Sequence, residues 1–139
     1  MVNAGTRIAL SLGVRDWLDQ LEARSKAFAV AAVRMGRELE DGRLVPRNVV
    51  WQFISSATSV AANHRAARQA RSDREFAAKL GLIVEEADES AFWLEMIAET
   101  ANPCPAGQAA LLKEAIELRV IFGKSLSTMR HRLSTDPGT

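Results

Sequence analysis

The chain has 139 residues, 47% of them hydrophobic, and a net charge of +1. That length suits one domain, able to bury roughly two-thirds of its unfolded surface without help from a metal or disulfide. Near-neutral charge excludes a general attraction to polyanions, so any contact with nucleic acid must rest on a local patch.

Residues 1–13 read as an N-terminal extension. Its Arg7 to Val14 stretch is partly apolar, but Gly13, Arg15 and Asp16 interrupt it too soon for a signal peptide. A four-helix unit is predicted over residues 14–134. In the first segment Val14, Leu18, Leu21, Ser25, Phe28, Ala32, Met35 and Leu39 recur at alternating spacings of four and three, the seam of a packed helix. Gly42 is placed to end it. Pro46 opens the second segment, because a first helical turn does not need the missing N–H, and Val50, Phe53, Ala57, Val60 and Ala61 form its core stripe.

Ser72 followed by Glu75 is a capping-box pattern and marks the start of the third helix. Phe76, Leu80, Ile83, Ala87, Leu94 and Ile97 then share one side until about Ala101, with Gly81 a slight weakness. The run from Asn102 to Gly107 is the strong breaker, and Pro105 suits the first turn of the last helix. Leu112, Ile116, Phe122, Leu126, Met129 and Leu133 carry that helix to a polar tail over residues 135–139. Helices of similar length with short links favour an all-α, antiparallel, up-down-up-down four-helix bundle. The single cysteine, Cys104, has no internal partner, which suits a reducing cytoplasm.

From Asn48 to His64 no side chain carries a formal charge. A helix on the surface of a soluble monomer keeps a charged face, so this one is expected to be covered by neighbouring copies. Projected on a helical wheel, Trp51, Ser55, Thr58, Ser59 and Ala62 lie away from the core stripe, mostly small residues that admit another helix. Leu82, Trp93 and Met96, with Phe92 nearby, form a second apolar strip on the third helix. These nine residues are the candidate oligomer interface.

Arg65, Arg68, Arg71 and Arg74 follow the uncharged run and are predicted to gather at one end of the bundle, where guanidinium groups can grip phosphates. The opposing reading pairs them with Glu85, Glu86, Asp88, Glu89, Glu95 and Glu99 across a subunit boundary. Enzyme chemistry has little support. The two histidines, His64 and His131, stand in no Glu-x-x-His pair, and neither a Cys/His cluster nor a glycine-rich phosphate loop is present. No metal or cofactor is expected, and His64 reads as a hydrogen-bonded core residue. The uncharged run contains Gln52, Ser55, Ser56, Ser59 and Asn63 and falls short of the roughly 20 apolar residues of a membrane span.

The stretch from Ser55 to Asn63, followed by Arg71-Ser72-x-x-Glu75-Phe76 and by Glu85 to Glu89, resembles the four-helix-bundle proteins encoded within intervening sequences of bacterial 23S ribosomal RNA. The resemblance covers Arg24 to about Ala98 and, in the last helix, mainly Lys113 to Leu118. Members usually carry an acidic residue shortly after the asparagine, whereas Ala66 and Ala67 stand here. It implies a left-handed antiparallel bundle that assembles into a homo-oligomeric ring, typically a pentamer. A related bundle, the accessory protein of diversity-generating retroelements, binds nucleic acid through a basic surface. By that likeness the four arginines are candidates for contacting RNA or DNA, and the alternative is an oligomeric module that binds another protein.

Overall fold

The computed structural model describes residues 12–135, in four helices: α1 (Leu12–Asp41), α2 (Arg47–Ala67), α3 (Asp73–Thr100) and α4 (Gln108–Thr135). The extension and the polar tail therefore lie almost wholly outside the described residues, as does the side chain of Val14. Each helix packs against the next in an all-α antiparallel bundle, while α1 and α4 meet more sparingly. No described helix is long and apolar enough to cross a membrane.

The core follows the predicted stripes in the first three helices. Leu18, Leu21, Ser25, Phe28, Ala32, Met35 and Leu39 are all buried, as are Val50, Phe53, Ala57 and Val60. All six predicted α3 positions are buried too, although Ala61 of α2 is only half-buried. In α4 the stripe is displaced. Leu111, Ala115 and Leu118 fill the centre, whereas Leu112 and Ile116 pack at its edge. Apolar residues surround that first half of α4 on several sides, so periodicity alone leaves its phase open.

Each boundary has a local cause. The Glu75 amide donates to Ser72 Oγ at 3.0 Å, so Ser72 caps α3 as its spacing predicts. The Glu75 carboxylate, however, turns to Arg71 at 3.4 Å. Pro46 stands just before α2 as its N-cap. Pro105 precedes α4, and its carbonyl accepts from the Gln108 amide at 3.1 Å. At the end of α1 the Leu44 amide reaches the Leu39 carbonyl at 2.9 Å and the Arg43 amide the Glu40 carbonyl at 3.1 Å. That pair of bonds is a Schellman motif. Its left-handed position falls on Arg43, with φ 51°, and not on Gly42.

A Cβ on Gly36 would stand 2.7 Å from Ile54 Cγ1 and closer still to Cδ1, so this glycine sets how closely α1 approaches α2. On the other flank of α2, Ser90 Oγ donates to the Glu86 carbonyl at 2.8 Å and lies 3.2 Å from Ser56 Oγ, inside the α2–α3 contact. Gln108 Nε2 donates to the Leu94 carbonyl at 2.8 Å and ties the start of α4 to α3. The sparse α1–α4 seam is closed by charge. Arg24 spans Glu114 with two bonds, Nε to Oε2 at 2.7 Å and Nη2 to Oε1 at 2.6 Å, and also reaches Glu117. Hydrogen bonding to Glu114 holds the guanidinium firmly protonated.

His64 is fully buried, edge-on to Phe122 at 5.4 Å. Its Nε2 lies 2.9 Å from the Leu18 carbonyl and must donate there, which leaves Nδ1 bare and without a partner. Burial pushes its pKa below the ordinary histidine value, against the opposing pull of the Leu18 hydrogen bond.

Two measurements follow from these local arrangements. Arg43→Gly removes a left-handed strain and should raise stability by up to about 1 kcal/mol in urea unfolding, whereas Gly42→Ala should give no such gain. The unfolded chain protonates His64 near pH 6.5 while the folded chain resists, so stability is fullest above that range. It should fall by up to ~1.4 kcal/mol per pH unit as the pH drops toward the folded value. His64→Leu should flatten that slope between pH 7.5 and 5.5, and a slope unchanged by the substitution would place the titrating group elsewhere.

Candidate nucleic-acid interface

The antiparallel path puts the α2–α3 connection, the start of α1 and the end of α4 at one end of the bundle. Arg65 leaves the last turn of α2, Arg68 is its C-cap residue, Arg71 lies in the connection and Arg74 in the first turn of α3. The gathering predicted for these four is what the described residues place there. All four are exposed, but they are engaged differently. Arg68 turns inward to α1, with Nη2 2.7 Å from Asp19 Oδ1 and Nη1 on Glu22. It ties α2 to α1. Arg71 meets Glu75 at 3.4 Å, yet 87% of its side chain remains exposed. Arg65 makes no ion pair among the described residues and borders the shallow α1–α2 groove with Lys26 and Gln69.

The carboxylates that engage Arg68 and Arg71 belong to α1 and to the first turn of α3. The acidic run farther along α3 is used otherwise: Asp88 binds Arg119 of α4 at 2.5 Å, and Glu89 accepts from the Trp93 indole at 3.4 Å. Glu86 is half-buried, and burial, with the nearby charges of Glu89 and Glu85, pushes its carboxyl above the ordinary range. Among the described residues no group of three His, Cys, Asp or Glu side chains could hold a metal ion. Cys104 is exposed and free.

Arg130 and Arg132, which flank His131, were not joined to this end by sequence reasoning. The fold joins them. Arg132 Nη2 lies 3.4 Å from Asp73 Oδ2, and Arg130 Nη2 stands 4.0 Å from where a Cβ on Gly81 would be. The signal was available, because an up-down-up-down order returns the end of α4 to the start of α3. Arg130 and Arg132 thus lie toward the same end of the bundle as Arg65, Arg71 and Arg74, with His131 exposed between them in sequence. Surface ion pairs contribute only about 0–1 kcal/mol each, so that of Arg71 can be exchanged for a phosphate oxygen, whereas Arg132 is held to Asp73, whose side chain is only 18% exposed.

The predicted assembly residues occupy two neighbouring outer faces. On α2, Trp51 is 68% exposed, Ser55 and Ala62 are exposed, and Thr58 and Ser59 are half-buried. Thr58 Oγ1 donates back to the Ile54 carbonyl at 2.8 Å, which satisfies its hydroxyl and leaves a smooth surface. On α3, Leu82 and Phe92 are exposed, Phe92 by 50%. Trp93 and Met96 are half-buried. Trp93 packs against the core and meets Phe92 edge-on at 4.9 Å. Among the described residues nothing covers Trp51 on the one face or Phe92 on the other. Val30 and Val33 of α1, which sequence reasoning did not single out, are also exposed and lie beside Thr58.

No family model matches the chain, and no curated protein matches it. Among solved structures it is similar to a protein of unknown function from the S23 ribosomal protein family of Bacteroides thetaiotaomicron, with 25% identity and a TM-score of 0.72. The likeness covers 79% of this chain and 97% of that one, and the four helices fit that all-helical neighbour.

Proposed function

We propose that this protein is a non-enzymatic, homo-oligomeric four-helix scaffold of the 23S intervening-sequence type, whose basic end contacts the backbones of RNA or DNA. The observation that carries this reading is the convergence of Arg65, Arg71, Arg74, Arg130 and Arg132 from three parts of the chain onto one end of the bundle. Such a surface meets phosphates without reading base edges. Assembly rests on the uncharged outer face of α2, where Trp51 offers an anchor and Ser55, Thr58, Ser59 and Ala62 admit a close neighbour. A ring of five copies follows from the family likeness.

A second reading is favoured by Arg68, which two carboxylates already hold. In that reading the oligomer serves only as a protein-interaction module, and the exposed Phe92 beside Trp93 receives the partner. Capture of that partner would then survive nuclease and high salt.

A gel-shift titration of a single-stranded RNA separates the two. Arg71→Glu combined with Arg130→Glu should weaken binding at least tenfold and lower the slope of log affinity against log salt by roughly 1.4, at about 0.7 for each phosphate no longer neutralised. The mass in solution should not change. Equal RNA retention by the double variant and the parent, or no salt-sensitive retention by either, would refute the nucleic-acid role.

A further inference from the structure

We infer that copies of this chain join side by side in parallel, with the acidic, aromatic ridge of α3 on one copy seated along the basic-edged α1–α2 groove of the next. The pairing rests on the assembly part of the proposed function and specifies its surfaces. The groove runs between Val30 and Val33 of α1 and Thr58, Ala61 and Ala62 of α2, with Lys26, Arg34 and Arg37 along its outer edge. The ridge carries Leu82 and Phe92, with Glu85 and Glu89 between them.

Charge sorts these faces. Among the described residues Arg24, Arg47, Arg68, Arg71, Arg119 and Arg132 are drawn into ion pairs. Among the described residues Lys26, Arg34 and Arg37 meet no carboxylate, and Glu85 and Glu89 meet no cation. Asp19 and Glu22, the acids at one end of the groove, are taken by Arg68. One face is left with unmatched positive charge around an apolar floor and the other with unmatched negative charge around an apolar crest. Opposite potentials of this kind fix partner and register.

Height along the bundle makes the match specific. The Ser56–Ser90 contact sets the level of α3 against α2. Counting at equal rise from that pair along antiparallel helices puts Glu85 level with Ala61 and Phe92 level with Ile54. Lys26 lines the groove with Ala61 and Ala62, while Gly36 abuts Ile54 and Val33 lies about one turn away. Glu85 therefore stands within about a turn of Lys26, and Phe92 within about a turn of Val33, displaced in the same sense. A parallel neighbour with no axial shift brings acid to base and ring to valine, as closed cyclic symmetry demands, since such symmetry allows rotation but no rise.

The test is a charge swap read by light-scattering mass. The parent should be oligomeric at micromolar concentration. The groove variant, Lys26→Glu with Arg34→Glu, and the ridge variant, Glu85→Lys with Glu89→Lys, should each keep their helical circular dichroism. Each should dissociate with at least a tenfold weaker constant. Mixed in equal amounts, the two should assemble again, because each then meets a complementary face. A parent that runs as a single chain overturns the assembly reading and this pairing together, leaving both faces to foreign partners. An oligomeric parent whose mass neither variant alters, or two weakened variants that do not rescue each other, overturns the pairing alone.

Discussion

The two flanks of α2 determine where everything else stands. On one flank the absence of a side chain at Gly36 admits Ile54 and sets α1 close; on the other, two small hydroxyls, Ser56 and Ser90, meet inside the α2–α3 contact. Between them Phe53, Ala57, Val60 and His64 fill the core without a charge. Small residues permit close approach, and close approach leaves little freedom to slide, because packed interiors respond to changes as small as one methylene. The heights of every charged residue on α1 and α3 are inherited from these contacts.

Electrostatics then divides the surface into pairs that hold the bundle and charges that remain available. Arg24 crosses the thin α1–α4 seam and Arg68 crosses from α2 to α1, each meeting two carboxylates on another helix. Arg119 does the same between α4 and α3 with one. These long-range contacts compensate for the limited apolar overlap between α1 and α4. A chain with 18 basic and 17 acidic residues could have neutralised itself locally. Instead several arginines gather toward the α2–α3 end and many of the acids lie along α3, so a nearly neutral molecule presents local potentials of both signs.

Much of this was legible from the chain, and the illegible parts have physical reasons. The stripes of α1, α2 and α3 could be read because each has one apolar face; α4 could not be phased at Leu111, Ala115 and Leu118 because Leu112 and Ile116 offer an equally apolar alternative. The Ser72 cap was visible as a local pattern, and burial of His64 followed from its place on the core stripe. The left-handed turn at Arg43 was hidden because glycine usually takes that conformation and Gly42 stood one residue away. Of the site, the four arginines were readable as a run, but the partner of Arg68 was not. Asp19 and Glu22 lie far from it in sequence, and only tertiary register brings them within reach. Arg130 and Arg132 joined the basic end for the same reason, through topology that composition does not display.

Parallel assembly and a basic end belong together physically. A single phosphate contact at the surface is weak and screened within about 8 Å at physiological salt, so five arginines on one bundle make a modest site. Copies set side by side without axial shift turn all their basic ends to the same side, and a backbone held by one end meets the next at high effective concentration. Antiparallel copies would scatter those ends to opposite sides and forfeit the gain. In the proposed assembly the matching that would bring Glu85 to Lys26 would also line up Arg71 and Arg130 from copy to copy, and the outer faces of α1, α2 and α3 would set the geometry in which the arginine end acts.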